Sequence, residues 1–356
     1  MHVLKYRELN EDGTPGRGVA LTDISFAALG YEALQDAILH KPMQIPLTGY
    51  GMVRDTDVVD VEVGQRVKFE TVLESKFTST AIGLVKGGWL PSALAAINDT
   101  IVLPDRCVVA QLNARLKNGA TKPDAERDFI DLFAGDSIRI NPMLFVLEGD
   151  VGQNPTPETL ISQLDEAVTK LQSALPRAKI VAADARGLEG VLGLIQDTQN
   201  GIARKQNFLL HLNPILKSPV SRKNAAHGWD KVLALAGDSG IPNTSLVLLA
   251  ALSAIVMPQG RNPAKKLLKF REAYTQKDAY NGLADIRALE ILMNLFALFP
   301  NERVMLCTAD KDMALFWVGL RAANFAFSQG RMTYDIAPSD LLPGTASERW
   351  EILLHP

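Results

Sequence analysis

The chain has only two cysteines in 356 residues, Cys107 and Cys307, too few for a disulfide framework or a thiolate zinc site. Such usage permits a reducing compartment, and the expected location is cytoplasmic. Long apolar runs are also missing. The longest, Leu246 to Met257, covers 12 residues, where a membrane-spanning helix needs roughly 20. A buried core helix is expected there, with no membrane partner. The opening stretch from Met1 to Glu8 meets a charge before any apolar run can build, so no secretory segment is expected. Positive charge is not in excess either: 37 Lys and Arg stand against 40 Asp and Glu, a net charge of −3. Nucleic-acid binding by bulk charge is therefore excluded, and any polyanion must be met by a local basic patch. Glycine-rich phosphate loops, internal repeats and low-complexity segments are absent.

What remains is 47% hydrophobic and 22% charged, enough to pack a large core in one large domain or two smaller ones. Residues 1–94 read as an α+β extension whose role the sequence leaves open. Ile24 to Leu39 is amphipathic and predicts a helix. Asp57 to Val63 and Arg66 to Glu70 alternate apolar and polar side chains around Gly64-Gln65, which predicts a hairpin. Gly87-Gly88 and Pro91 mark its end. From residue 95 to 356, short apolar runs followed by helical patterns give the rhythm of strand-helix units on a central parallel sheet. The runs are Thr100 to Pro104, Asp136 to Ile140 and Glu302 to Thr308. Helices are expected at Pro157 to Leu175, Tyr280 to Phe299 and Met313 to Phe327, and a last strand at Trp350 to Leu354. The Leu- and Ala-rich middle, about 184–275, predicts a large helical insert with breaks at Pro214, Pro219, Gly237 to Pro242 and Pro258 to Pro263.

Ligands of a parallel sheet bind outside the carboxyl ends of its strands. Two predicted strands run into aspartates there, Asp105 after Ile101-Val102-Leu103-Pro104 and Asp310 after Val304-Met305-Leu306-Cys307-Thr308-Ala309. If the strands are neighbours, both carboxylates point into one crevice. Two more acids stand in related contexts. Glu148 lies on the helix that Asn141-Pro142 caps and begins, and Asp285 in Ala284-Asp285-Ile286-Arg287-Ala288-Leu289 is expected to open a helix with a small apolar face.

The order and context of these segments, with Thr308, Asp310 and Asp312 each one residue apart, resemble the PIN-like nucleases. The likeness covers about 95 to 330. It implies a three-layer α/β PIN-like domain, with Asp105, Glu148, Asp285 and Asp310 as catalytic acids and metal ligands and Asp312 as a further ligand. It further implies hydrolysis of nucleic acid, RNA more than DNA. The 137 residues between Glu148 and Asp285 exceed the spacing of the small toxin members and imply the helical insert. Four like charges in a small cleft repel unless a cation joins them. Oxygen-only ligands suit Mg²⁺ or Mn²⁺ better than zinc. Two such ions about 3.5–4 Å apart could activate a water and stabilise the leaving oxygen of a phosphodiester.

Taken singly, each acid has a plainer role: Asp105 and Asp310 as helix caps, Glu148 as a solvated residue, Asp285 as a charge favoured at a helix start. Asp124, Glu126, Asp128, Asp184 and Glu189 read as surface charges. His211 and His227 are sixteen residues apart with no carboxylate motif between them, and read as structural. Cys107 reads as a core packer, and it stands where a haloacid-dehalogenase phosphatase would need a second Asp. The basic stretch from Arg261 to Arg271 offers phosphate contacts through Lys265, Lys266 and Lys269 or, equally simply, a solvated helix face. Asn281, four residues before Asp285, could orient substrate or water. The competing expectation is a catalytically silent scaffold binding RNA or a protein, and a third is a toxin held by a regulatory protein partner. Oligomeric state cannot be read from this pattern.

Overall fold

The structure is a computed structural model that describes residues 3–122, 126–135, 137–149, 152–257 and 262–355. Asp124, Asp136, the Pro258 end of the fourth expected break and Arg261 fall outside these residues.

The first four strands, β1 (Leu4–Leu9), β2 (Pro15–Phe26), β3 (Gln44–Thr56) and β4 (Arg66–Glu74), form an antiparallel meander in sequence order. Along β3, residues alternate between solvent and core, with Ile45, Leu47 and Val53 buried, as a one-sided sheet requires. Gly49 is needed where β2 crosses closely, because a Cβ there would lie 2.2 Å from the Ser25 carbonyl oxygen. Two expectations fail in this part. Ile24 to Phe26 belong to β2, where Ser25 pairs with Tyr50 and Phe26 with Gly49, so the helix α1 is confined to Tyr31–Asp36. Residues 57–63 are the loop between β3 and β4 rather than a strand. Val59 and Val63 are exposed there and gain nothing from pairing, while the Asp57 carboxylate holds the loop to the Gly18 amide.

The second sheet is built from β5 (Ile82–Val85), β6 (Gly88–Pro91), β7 (Ile101–Pro104), β10 (Arg139–Ile140), β11 (Lys179–Ile180) and β12 (Val304–Thr308), in the order β11-β10-β7-β12-β5-β6. The four strands from β11 to β12 run parallel, whereas β5 is antiparallel to β12 and β6 to β5. The expected parallel sheet is thus mixed, and it takes up residues 82–91, which the sequence assigns to the extension ending at 94. Between β7 and β10 lie α3 (Arg106–Arg115) and a small ladder of β8 (Leu116–Lys117) and β9 (Ala120–Thr121). The short helix α2 (Ser92–Ala95) packs under β5.

Helices α4 (Met143–Glu148) and α5 (Pro157–Ala174) flank β10, the second begun by Thr156, whose hydroxyl accepts from the Thr159 amide. The middle of the chain is helical, as its Leu and Ala content predicts, in α6 (Ala185–Leu216), α7 (Ala225–Asp238), α8 (Leu246–Val256) and α9 (Pro263–Leu267). Pro214 does not break α6. The helix runs only two residues beyond it, to Leu216, although proline supplies no amide for the Leu210 carbonyl. Residues Leu246 to Ile255 of α8 are all buried, so this is the core helix that the apolar run predicts. The long α10 (Gln276–Leu298) starts on a capping box between Thr275 and Asp278, which satisfies two otherwise orphaned amides.

The C-terminal region departs from expectation. Helix α11 (Lys311–Leu320) ends where Arg321 turns left-handed at φ 47° and its guanidinium grips Asp340 at 2.7 and 3.0 Å. The residues beyond form a hairpin of β13 (Ala323–Ser328) and β14 (Arg331–Asp335) rather than more helix. Residues 350–354 belong to α12 (Thr345–Leu354), where Ala346 and Trp350, one turn apart, are the buried pair. Asp128 is a further correction. It is fully buried, and its carboxylate accepts from the hydroxyls of Thr78 and Thr80 and the amides of Thr80 and Ile130.

Candidate functional site

Pairing of Pro104 with Cys307 and of Ile140 with Val102 brings the carboxyl ends of β7, β12 and β10 to one side of the sheet. From β7 the chain proceeds to β10 on one flank, while β12 lies on the other. A reversal of this kind opens a crevice above the strand ends.

Asp105 follows β7 and caps α3, its Oδ1 accepting from the Val108 amide at 2.7 Å. Its own amide donates to the Cys307 carbonyl at 3.0 Å, which fixes its height above β12. Asp310 caps α11 in the same manner, accepting from the amides of Asp312 and Met313 at 2.8 and 3.0 Å. Thr308 ties the two together: its hydroxyl oxygen accepts from the Asp310 amide at 2.9 Å and its hydroxyl bonds the Asp105 carboxylate. Both capping roles are therefore real, and in Asp310 both amides meet Oδ1, which leaves Oδ2 outside the cap.

Glu148 ends α4, and its Oε2 lies 3.4 Å from the Arg106 amide at the start of α3. The Arg106 side chain turns away, donating to the Phe145 carbonyl at 3.3 Å with its guanidinium 4.1 Å from the centre of the Phe145 ring. Asp285 does not open a helix as expected: α10 already begins at Gln276 on its capping box, so Asp285 projects from within it, where it is paired with Lys269 Nζ at 3.0 Å. Lys269 reaches it from a left-handed backbone position, φ 58°, just after α9.

Asp105, Glu148 and Asp285 line a single cavity of about 20 Å³ together with Leu147, Arg287 and Met313. That volume suits one water or one small ion. Burial pushes the Asp105 carboxyl up to about 7, helped by the charges of Glu148 and Asp310 and opposed by its bonds from Thr308 and Val108. Burial likewise raises Asp285 to about 7, although Lys269 pulls the other way and Asp310 and Glu148 add to the rise. The Glu148 carboxyl is raised by burial as well.

Cys107 reports on the whole cluster. It is exposed, contrary to the expected core position, and its thiol is pushed up to about 11 by desolvation and then by Asp105, Glu148, Asp285 and Asp310. All four expected acids therefore act on one point. Such a thiol is neither a nucleophile nor a metal ligand near neutral pH.

Among the described residues, no three His, Cys, Asp or Glu side chains stand in the spacing of an assembled metal site. Positive charge comes instead from lysines: Lys269 on Asp285, and Lys266 Nζ 3.4 Å from Asp312. The donor set nonetheless fits a hard divalent cation. It offers oxygen alone, burial makes Asp105, Glu148 and Asp285 costly to ionise without a cation, and the cavity is ion-sized.

The remaining expected residues are dispersed. Asp312 sits half-buried beside Lys266, outside the acid-lined cavity. Lys265 and Lys266 border a different and larger cavity. Asn281 stands one turn before Asp285 on α10 and is half-buried. Sequence reasoning missed Arg287, which is buried and donates to Asn154 Oδ1 at 3.0 Å, the Tyr280 hydroxyl at 3.2 Å and the Leu147 carbonyl. A charged residue between the apolar Ile286 and Leu289 of a buried helix was the available signal. No family model, curated protein or solved structure matches this chain.

Proposed function

We propose that the protein is a Mg²⁺- or Mn²⁺-dependent nuclease of PIN-like type that hydrolyses phosphodiester bonds, with RNA as the preferred substrate. The observation that supports this reading is the convergence of Asp105, Glu148 and Asp285 on one ion-sized cavity at the carboxyl ends of parallel strands, with Asp310 coupled to Asp105 through Thr308. The three-layer arrangement belongs to the same proposal.

Asp105, Glu148, Asp285 and Asp310 would hold the cation, which when bound supplies the charge that acidifies a water and offsets the leaving oxygen. The rest of the work falls to the chain. Thr308 and the Val108 amide keep Asp105 in one orientation, and the Arg106 amide does so for Glu148. Burial holds the Asp105 and Asp285 carboxyls near 7 without a metal, so cation binding would release protons and strengthen as pH rises toward neutral. Lys269, displaced from Asp285, would be free to meet a non-bridging phosphate oxygen.

The test is Asp285→Asn, which removes charge and keeps shape. Cleavage of single-stranded RNA in Mn²⁺ should fall by at least a hundredfold with the fold intact. Cleavage at the wild-type rate would remove Asp285 from the mechanism. The ion pairs Lys269–Asp285 and Lys266–Asp312 favour a second reading, a silent scaffold whose lysines neutralise the acids permanently. In that case neither Mg²⁺ nor Mn²⁺ would bind or raise the melting temperature.

A further inference from the structure

A cavity of about 390 Å³ lies between α8, α9 and the segment that leads into α7. Its lining combines apolar side chains, Val220, Ile255 and Met257 among them, with the cations Arg222, Lys265 and Lys266. Among the described residues no carboxylate lines it, although the chain as a whole is slightly acidic with a net charge of −3. Among the described residues, Arg222 and Lys265 have no ion pair, while Lys266 reaches out to Asp312 at 3.4 Å. Lys266 therefore joins the rim of this cavity to the acidic crevice above β12.

The placement of Lys265 is built rather than incidental. Asn262 is buried, its Nδ2 donates to the Ser253 carbonyl at 3.1 Å and its Oδ1 accepts from the Lys265 amide at 2.9 Å. These bonds clamp the start of α9 onto α8 and leave the Lys265 side chain against the cavity. Desolvation lowers its ammonium pKa, which an incoming anion would reverse. Cations and apolar side chains in one cavity suit a ligand with one anionic end and one apolar end. The volume is within the range of small-molecule sites, about 300–1,000 Å³.

We infer that this cavity binds a nucleoside monophosphate unit, its phosphate on Arg222 and Lys265 and its base against Val220, Ile255 and Met257. The inference rests on the nuclease proposal and deepens it, because a nucleic-acid strand is built of such units. The unit can belong to the substrate strand or be a free mononucleotide, and the two sources compete differently.

The test uses the full chain in EDTA, where no cleavage occurs, and calorimetric titration with AMP, adenosine and inorganic phosphate. AMP should bind at least tenfold more tightly than either fragment. Arg222→Met and Lys265→Met should each weaken AMP binding tenfold or more at an unchanged melting temperature. Equal affinity for AMP and phosphate, or unchanged affinity in both variants, would overturn the inference. Displacement of AMP by a single-stranded RNA decamer would assign the cavity to the strand, and simultaneous binding would assign it to a free mononucleotide. Thermal stabilisation by Mn²⁺ separates the two proposals. If it persists while AMP fails to bind, only the nucleotide cavity falls; if AMP binds and Mn²⁺ has no effect, only the nuclease reading falls.

Discussion

Replacing Asp105 by Asn should stabilise the metal-free protein at pH 8 and leave its stability near pH 4 almost unchanged. Asp105 ionises near 7 in the fold, against 3.8 for the free side chain, chiefly because it is buried among other carboxylates. The folded state therefore holds this proton to higher pH than the unfolded chain does. Between about pH 4 and 7 the native state binds more protons, so wild-type stability falls as pH rises through this window and then levels off. At about 1.4 kcal/mol per pH unit the full loss is about 4 kcal/mol. Asn carries no such loss, and its Oδ1 can still accept from the Val108 amide. With a melting entropy of about 2.1 cal/mol/K per residue, 4 kcal/mol in a chain of this length corresponds to about 5 °C. Melting followed by circular dichroism in EDTA at pH 4 and pH 8 reads the effect directly. A variant that melts below the wild type at pH 8, or differs from it equally at both pH values, would refute the electrostatic account.

The same repulsion predicts that Mn²⁺ raises the wild-type melting temperature: at a hundredfold excess over Kd the gain is about 2.7 kcal/mol, read by differential scanning calorimetry. Asp285→Asn should lose most of that response. Replacing Lys265, Lys266 and Lys269 together by Ala should weaken RNA binding for every sequence and flatten the log-log salt dependence by roughly 0.7–0.9 per lost phosphate contact, measured by fluorescence anisotropy. An unchanged slope would return these lysines to their ion pairs and to the solvent. Asp128→Ala strands two hydroxyls and two amides in a buried place and should cost roughly 2–4 kcal/mol in urea unfolding, without altering the response to Mn²⁺.

Much of the site could be anticipated from the chain, because its acids follow segments with strong local signals. Val304 to Thr308 are all buried, and a continuous apolar run ending in Thr-Ala-Asp places its carboxylate at a strand's carboxyl end whatever the neighbours are. The same logic finds Asp105. Elsewhere, local pattern misled. Ile24 to Phe26 fit a helical stripe as well as a strand, and only pairing with Gly49 and Tyr50 selects the strand. Residues 350–354 are apolar enough for a strand, but the turn that places Ala346 beneath Trp350 makes them helix.

Composition and order by themselves determined that the chain packs a large core, carries strand-helix units, buries Leu246 to Ile255 in a helix and sets Asp105 and Asp310 after parallel strands. These properties follow from hydrophobic periodicity and from the chain's short-range geometry. Tertiary structure alone decided that β5 and β6 join the sheet antiparallel, that Asp128 is buried, that Cys107 reaches solvent, and that Lys269 pairs with Asp285. Each of those depends on which segments meet across long separations in sequence, and the free energy of a buried charge is set by the partners it meets there.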